Sequence, residues 1–325
     1  MRSISISLPL TTALVSLFFS GTLQATPLKQ STPSTQAMRD LQTLASVEMQ
    51  GRGIGTEGSA RARDYILKRI ADIGLKPCSN QFTSEFIVKG RNASESVGKN
   101  VIACQAGQNN STDYIVVSAH YDHLGFNHQK IYFGADDNAS GVAGVLAIAE
   151  YFKQKSPNNN IVYAFFDGEE IGLKGAAAFI KQKTIPLDKI IANVNFDMIA
   201  RGDKNILFAS GSHQTPAFKT LLSELNGRYG IQLQFDHDRP EQGSNNWTNQ
   251  SDHYVFYTAG IPHLYFGVED HADYHKPSDT VDKVNPAFFN GAIELLQNAI
   301  NIIDKASATV DFRMERKKYK MPDEK

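Results

Sequence analysis

Cysteine and net charge are both scarce in this sequence, and each scarcity excludes a class of protein. Only Cys78 and Cys104 occur, and because no Cys-x-x-Cys pair is present, a zinc site built on thiolates is excluded. A disulfide and two buried thiols are equally open alternatives for these two residues. Among 325 residues, 33 Lys and Arg nearly balance 34 Asp and Glu. Proteins that grip a phosphate backbone carry a basic surplus, so we expect no nucleic acid partner.

Long apolar runs are also missing beyond the N-terminal region, which argues against a membrane-spanning body. The N-terminal region differs, because Arg2 precedes a short apolar stretch over residues 4–19, and small Ala25 stands at a plausible cleavage position. This pattern predicts a signal peptide over residues 1–25 and a protein exported to the periplasm or secreted, without a stable membrane anchor. An N-terminal anchor is the alternative, but Pro9 and several hydroxyl residues interrupt the stretch.

Short apolar runs alternate with helical patterns over the rest of the chain. The predicted strands cover residues 101–103, 114–119, 161–166, 191–196, 206–209 and 262–268. The predicted helices begin near Met38 and Gly175 or cover residues 59–73, 142–154, 216–229 and 286–305. This alternation predicts an α/β fold of three α/β/α layers, with a central mostly parallel or mixed sheet. We expect one domain over residues 26–310, followed by a charged, frayed tail over residues 311–325.

Acidic and imidazole side chains follow the ends of the predicted strands, where ligands bind in open α/β sheets. The candidates are His120 with Asp122, Asp136 with Asp137, Asp167 with Glu169 and Glu170, Asp197, and, in a late loop, His275. Each group has a simpler interpretation by itself: a solvated loop, a helix N-cap or an acidic turn. Because such groups recur at consecutive strand ends, a shared site is the better interpretation.

Imidazole and carboxylate donors without thiolate form the kind of set that zinc prefers, with cobalt or manganese less well suited. Two histidines and three carboxylates are too many for one tetrahedral catalytic zinc, which takes three protein ligands and a water. They would serve two ions if one carboxylate bridged the pair. The sequence therefore predicts two Zn²⁺ per chain and metal-assisted hydrolysis.

Five segments of the chain resemble, in the same order, motifs of the M28 family of zinc peptidases, in its bacterial leucyl-aminopeptidase-like branch. The segments are His120-Tyr121-Asp122, Gly134 to Gly141, Phe166 to Gly172, Asn195 to Ile199, and His275 to Thr280. They span most of the chain and together are highly specific. The resemblance implies a zinc-exopeptidase-like fold and a metal-dependent aminopeptidase that hydrolyses residues from the free N-terminus of peptides.

The resemblance also implies a role for each candidate ligand, carried over by motif position. His120 and Asp197 would bind one zinc ion. Glu170 and His275 would bind the other, and Asp136 would bridge the two.

Two further acidic residues acquire roles from the same match. Glu169 matches the general base, which takes a proton from the attacking water and passes it to the leaving amine. Asp122 matches the carboxylate that supports His120 through its second ring nitrogen. An unusual peptide geometry is implied at Asp137. The remaining histidines are predicted to be loop or surface residues: His123, His128, His213, His237, His253, His263 and His271.

Two other interpretations stay open. Glutaminyl cyclases, which close an N-terminal Gln to pyroglutamate with one zinc, share this fold and retain the acidic pair matched by Glu169 and Glu170. A binding ectodomain that has lost catalysis is the non-enzymatic alternative. The filled ligand and base positions of this chain argue against it.

Overall fold

The computed structural model describes Met1 and residues 35–89 and 95–319. The predicted leader over residues 1–25 therefore lies outside the described part, apart from its first residue. The same holds for residues 320–325 of the predicted tail. Across the described ranges, no helix combines the length and the apolar character needed to cross a bilayer.

Within the described residues, nine strands form one mixed sheet and two more form a short separate hairpin. The strands are β1 (Lys76–Pro77), β2 (Thr83–Lys89), β3 (Glu95–Gln105), β4 (Tyr114–His120), β5 (Phe126–Asn127), β6 (Lys130–Ile131), β7 (Asn160–Phe166), β8 (Ile190–Phe196), β9 (Ile206–Ser210), β10 (Gln232–Phe235) and β11 (His263–Gly267). Their order across the large sheet is β1-β3-β7-β4-β8-β11-β9-β10, with β2 beside β3. The pairs β7·β4, β4·β8, β8·β11 and β9·β10 are parallel, and the others are antiparallel. The predicted mixed sheet is confirmed.

The same part of the chain contains eight α-helices, and sequence-encoded caps set their ends. They are α1 (Thr35–Leu44), α2 (Glu57–Ile73), α3 (Gly141–Lys155), α4 (Lys174–Gln182), α5 (Ala217–Leu222), α6 (His253–Thr258), α7 (Pro286–Ala306) and α8 (Phe312–Lys318). Helix α2 begins where the side chain of Thr56 accepts a hydrogen bond from the amide of Ser59, and it ends at Gly74 in the left-handed region. Helix α7 begins after Asn285, whose side chain accepts from the amide of Phe288.

Alternate residues of the central strands enter two separate hydrophobic cores. In β4, Ile115 and Val117 lie in the larger core, and Val116 lies in the smaller one. The larger core contains residues of α1, α2, α3, α5 and α7, and the smaller contains residues of α4 and α6. Because helices cover both faces of the sheet, the predicted three α/β/α layers are confirmed.

Several parts of the chain depart from the predicted elements. The predicted helix over residues 216–229 ends early, because α5 stops at Leu222 and Gly227 adopts a φ of 79°. The outer strands β2 and β10 are absent from the prediction, since most of their positions are exposed or half-buried and carry little apolar signal. The tail is not frayed throughout. It forms α8, because Phe312 is buried and stacks on Phe218 with ring centroids 4.8 Å apart.

Cys78 and Cys104 form a disulfide bond, with their Cα atoms 5.0 Å apart. The bond joins the end of β1 to β3, which is its antiparallel neighbour. Of the two alternatives that the sequence leaves open, the structure contains the disulfide, so neither sulfur is available as a metal ligand.

A pair of buried histidines lies where α6 packs against β11. The rings of His253 and His263 are stacked with centroids 5.7 Å apart, so neither is the loop or surface residue that the sequence predicts. His253 Nε2 lies 3.0 Å from the carbonyl oxygen of Trp247. Burial lowers the pKa of His253 to about 3 and holds the pKa of His263 well below its ordinary value.

We predict that this pair makes the free energy of unfolding fall as the pH drops from about 6.5 to about 5. Below the ordinary histidine pKa the unfolded chain takes up protons on these imidazoles, whereas the folded chain cannot. Each buried imidazole should cost about 2 kcal/mol by about pH 5. Urea denaturation at the two pH values measures the difference. His263→Leu should shrink that difference by about 2 kcal/mol, and a matched substitution at exposed His128 should leave it unchanged. An equal pH difference in His263→Leu and in the unsubstituted chain contradicts this prediction.

Candidate metal centre

Three parallel strands at the middle of the sheet end side by side on one edge. Strand β4 ends at His120, which pairs in register with the last residue of β7. Strand β8, on the other side of β4, is followed directly by Asp197. The loop after β7 carries Glu169 and Glu170. The topology thus delivers an imidazole and several carboxylates to one place, at the carboxyl ends of parallel strands.

Asp137 lies between two groups of donor atoms. Its Oδ1 is 3.4 Å from Nε2 of His120, and that nitrogen is 3.3 Å from Oδ1 of Asp197. Its Oδ2 is 3.1 Å from Nε2 of His275, and that nitrogen is 3.2 Å from Oε2 of Glu170. The structure therefore brings four of the five predicted ligands together around a carboxylate whose two oxygens face different groups.

Asp136, which the resemblance implies as the bridging ligand, is turned away from this cluster. Its Oδ1 accepts a hydrogen bond of 2.7 Å from the amide of Ala200, and its Oδ2 lies 3.2 Å from Nε2 of His271. The side chains of adjacent residues point in different directions, so only one of the two aspartates can face the cluster. The residue that lies between the two donor groups is therefore Asp137 and not Asp136, one position later than expected. The peptide bond between Asp137 and Asn138 is cis.

The carboxylates of this cluster are buried, and imidazoles are their closest charged partners. Burial by itself would lower the pKa of His275, but hydrogen bonds to Asp137 and Glu170 outweigh burial and raise the pKa to about 10. The pKa of His120 is likewise raised well above its ordinary value against the effect of burial, with the carboxylate of Asp197 as the main opposing cause. The cluster therefore stabilises positive charge placed within it.

Two sets of side chains bring their donor atoms close enough to hold a metal ion. One set is His120, Asp137 and Asp197, and the other is His123, Asp137 and Glu170. In each set the donor atoms lie within 4.8 Å of one another. Imidazole nitrogen and carboxylate oxygen are donors that zinc takes in hydrolases. The donor chemistry and the preference for positive charge both fit zinc.

Asp122 lies beside the second ring nitrogen of His120, as expected, and also binds the loop after β7. Its carboxylate accepts hydrogen bonds from the amides of Glu169, at 3.1 Å, and Glu170, at 3.4 Å. Nδ1 of His120 is 3.1 Å from the backbone carbonyl oxygen of Asp122 and 3.7 Å from its Oδ1. The main chain of Asp122 thus orients the imidazole, and its carboxylate holds the acidic loop after β7. Burial raises the pKa of Glu169, at the edge of this loop, well above its ordinary value.

His123 belongs to the site, although the sequence predicts a loop or surface residue at this position. Its side chain is buried, and Nδ1 lies 2.6 Å from Oε1 of Glu170. The one available signal in the sequence is position, because His123 directly follows Asp122 in the first strand-end motif. A periodic pattern could not reveal it, since the residue lies beyond the end of β4.

A buried arginine from the N-terminal region binds the backbone around the centre. Arg52 is fully buried. Its guanidinium donates hydrogen bonds of 2.7–2.9 Å to four backbone carbonyls, those of Leu44, Tyr121, Phe133 and Gly134. Burial lowers the pKa of Arg52 to about 10, an effect that nearby carboxylates, Asp137 first, oppose. Arg52 therefore connects the segment containing His120 to the loop that precedes Asp137.

Asp279 holds the same loop through its amides. Its carboxylate oxygens lie 3.0–3.1 Å from the backbone nitrogens of Asp136 and Asp137. The loop before α3 thus has its carbonyls bound by Arg52 and its amides bound by Asp279. Binding from both sides fixes the direction of the Asp137 side chain.

The cluster opens into a cavity of about 640 Å³. Beyond the acidic and imidazole groups, its lining includes Met198, Tyr254, Tyr265, Asp270 and Tyr274. The ring of Tyr274 stacks on that of His275, with centroids 4.0 Å apart. The wall of the cavity is thus mostly polar and charged, with Met198 and three tyrosines as its larger apolar surfaces.

Sequence comparison decides the family. Residues 100–300 match peptidase family M28. The chain belongs to this family. The vacuolar membrane protease of Lodderomyces elongisporus is 26% identical over 304 residues, which make up 86% of this chain and 28% of that protein. The chain therefore spans only about a quarter of the length of this curated relative.

Solved structures of similar fold include two enzymes of different activity. The zinc aminopeptidase of Bacillus subtilis superposes with a TM-score of 0.69 and 15% identity, over 87% of this chain and 98% of that one. The glutaminyl cyclase of Porphyromonas gingivalis superposes with a TM-score of 0.66 and 19% identity, over 82% of this chain and 96% of that one. The predicted zinc-exopeptidase-like fold is confirmed.

The predicted location, in the periplasm or outside the cell, is contradicted by the curated relatives, which are proteases of a vacuolar membrane. An apolar N-terminal stretch reflects only the hydrophobicity that membrane-targeting machinery requires. It carries no information about the compartment that the protein finally occupies.

We predict that Asp137→Asn weakens metal binding much more than Asp136→Asn. Removal of a residue that supports a metal ligand lowers metal affinity by about 10–100-fold. Loss of a carboxylate that both donor groups share should therefore lower metal affinity by more than about 100-fold. Asn at position 136 keeps an oxygen that can accept from the amide of Ala200. Zinc titration followed by metal analysis after dialysis compares the two variants. Equal losses in both would contradict the assignment of Asp137.

We also predict that Arg52→Met lowers the free energy of unfolding by at least about 3 kcal/mol, because four buried carbonyls lose their donor. Arg61→Met is the matched control, since Arg61 makes an exposed ion pair with Glu57. The control should change stability by less than about 1 kcal/mol. Urea denaturation of both variants measures the difference. A loss in Arg52→Met as small as in the control would refute the structural role of Arg52.

Proposed function

We propose that the chain is a two-zinc aminopeptidase acting on peptides with a free N-terminus. The proposal rests on the carboxylate of Asp137, whose two oxygens face different imidazoles: Oδ1 faces His120 and Oδ2 faces His275. Each oxygen shares its imidazole with a second carboxylate, that of Asp197 or that of Glu170. One carboxylate between two imidazole–carboxylate pairs is the arrangement that a two-metal hydrolase needs.

The proposed ligands are His120 and Asp197 for one ion, Glu170 and His275 for the other, and Asp137 for both. When bound, zinc supplies Lewis acidity, which lowers the pKa of water and polarises a carbonyl. The remaining steps belong to side chains of the protein.

Glu169 is the proposed general base. It lines the cavity beside the ligands, and the carboxylate of Asp122 accepts from its amide and so holds the loop that presents it. Its carboxylate accepts the proton of the attacking water and delivers it to the leaving amine, so that no net proton is consumed in the transfer. A buried carboxyl suits this role, because low local polarity favours holding the proton between the two transfers.

Restriction to the first peptide bond follows from charge. The free α-amine of a peptide carries a positive charge, and the cavity has acidic groups at the metal cluster and at Asp270. These groups favour a substrate whose amine lies next to the scissile bond. Nucleic acid has the opposite charge, and we propose no such partner.

Glutaminyl cyclase activity is the second candidate, because a glutaminyl cyclase shares the fold at a TM-score of 0.66. Cyclisation with one zinc would need only one of the two imidazole–carboxylate pairs. The chain has both pairs, since Asp137 contacts the pair formed by His120 and Asp197 as well as the pair formed by Glu170 and His275. Because a cyclase with one zinc would not need the second pair, its presence favours the peptidase.

The proposed function predicts amino acid release from peptides and from aminoacyl-p-nitroanilides, abolished by a chelator and restored by zinc. A Gln-initiated peptide tests the cyclase, which releases ammonia without cleavage. Glu169→Gln should lower kcat by at least about 100-fold, because a general base contributes about 10²–10⁴-fold, while zinc content stays unchanged. Lys174→Gln, a change on the following helix, is the control and should keep normal kcat. Ammonia release with no free amino acid would replace the peptidase by the cyclase.

A further inference from the structure

His123 contacts the centre in a way that differs from every other imidazole in it. Its Nδ1 lies 2.6 Å from Oε1 of Glu170, but 3.6 Å from the nearest oxygen of Asp137. The side chain is almost completely buried, so water cannot take the place of the carboxylate. Its first partner is therefore a single oxygen of Glu170.

The distances separate ligands from hydrogen-bond partners. Two donors of one tetrahedral zinc, each about 2.0–2.1 Å from the metal, lie about 3.3 Å from each other. His275 Nε2 matches this spacing with both Asp137 Oδ2, at 3.1 Å, and Glu170 Oε2, at 3.2 Å. The separation of 2.6 Å between His123 and Glu170 is too short for two ligands and fits a charge-assisted hydrogen bond.

The two oxygens of Glu170 thus face different partners. Oε2 points toward His275 and the shared carboxylate, and Oε1 points toward His123. A carboxylate with one oxygen held by an imidazole N–H has the other oxygen left to bind a metal. It also loses the freedom to rotate, which lowers the entropic cost of binding.

The position of His123 is itself tightly constrained. Its amide donates to the carbonyl of Arg52 at 3.4 Å, and its ring packs against Gly134. A Cβ at position 134 would lie 2.6 Å from Cδ2 of His123 and 2.1 Å from the carbonyl oxygen of Asp137. Glycine is therefore required at position 134, where φ is 55°, for the ring to reach Glu170.

We propose that His123 is a positioning residue whose Nδ1–H binds Glu170 Oε1, so that Oε2 joins Asp137 Oδ2 and His275 Nε2 as one metal-binding set. This inference rests on the proposed function for the presence of the metal. The hydrogen bond from His123 Nδ1 to Glu170 Oε1 is a separate claim. His123 is a partner of a ligand and binds no metal.

Two substitutions separate a partner from a ligand. In His123→Asn, the side-chain amide nitrogen occupies a position close to that of Nδ1 and can still donate to Glu170, but an amide nitrogen does not ligate metal. In His123→Leu, the ring volume is approximately kept and the donor is lost. Exposed His128→Leu is the control, and His275→Ala is the reference for loss of a true ligand.

The experiment is a cobalt(II) titration of the metal-free full chain, followed by visible absorption spectroscopy and by metal analysis. We expect two binding steps in the unsubstituted chain. His123→Leu should weaken one step by about 10–100-fold and leave the other unchanged. His123→Asn should stay within about threefold of the unsubstituted chain, with the same d–d spectrum, and His275→Ala should lose one step.

Three outcomes would overturn the inference. If His123→Asn loses a binding step and changes the spectrum as His275→Ala does, His123 is a ligand. If His123→Leu binds both ions normally, the hydrogen bond does not position Glu170. If the unsubstituted chain binds no metal, the proposed metal centre fails as well. If the variants give the predicted titration pattern but the unsubstituted chain has no peptidase activity, the proposed function fails and the role of His123 stands.

Discussion

Negative charge buried at one edge of the sheet is the constraint on which the rest of this structure depends. Carboxylates in a low-polarity environment repel one another, and their burial is costly unless positive charge or hydrogen-bond donors face them. The protein supplies three kinds of compensation here. Imidazoles contact the carboxylates directly, Arg52 places a buried guanidinium behind them, and backbone amides donate to Asp122 and Asp279. A divalent cation would complete the compensation, and that need organises the loops around it.

Much of the fold and part of the centre could be predicted from the sequence, for reasons that particular residues make clear. The buried central strands are continuous apolar runs, so the predicted bounds of β4, β7 and β8 agree closely with the observed ones. Because parallel strands end on one edge, the sequence alone predicts that His120 and Asp197 lie close together. Strands β2 and β10 lie at the outer part of the sheet and lack that apolar signal.

The errors at the metal centre arise where the backbone is irregular or where contacts are made to the main chain, because sequence patterns do not indicate side-chain direction there. Asp136 and Asp137 are neighbours of the same type, and only the loop conformation decides which one faces the cluster. His123 lies past the end of a strand, where no periodicity indicates whether a ring is buried. Arg52 acts through main-chain carbonyls distant in sequence, and a pattern of side chains carries no record of such contacts.

The region of the chain that matches the M28 family, residues 100–300, is held in part by a residue outside it. Arg52 lies well before it and donates to the carbonyl of Tyr121, within the first matched motif, and to that of Phe133, just before the second. Arg52 also donates to the carbonyl of Leu44, at the end of α1, which lies still earlier in the chain. A fragment limited to residues 100–300 would thus keep the proposed zinc ligands but lose the buried guanidinium of Arg52. A fragment that keeps these contacts must therefore begin no later than α1, the helix that ends at Leu44.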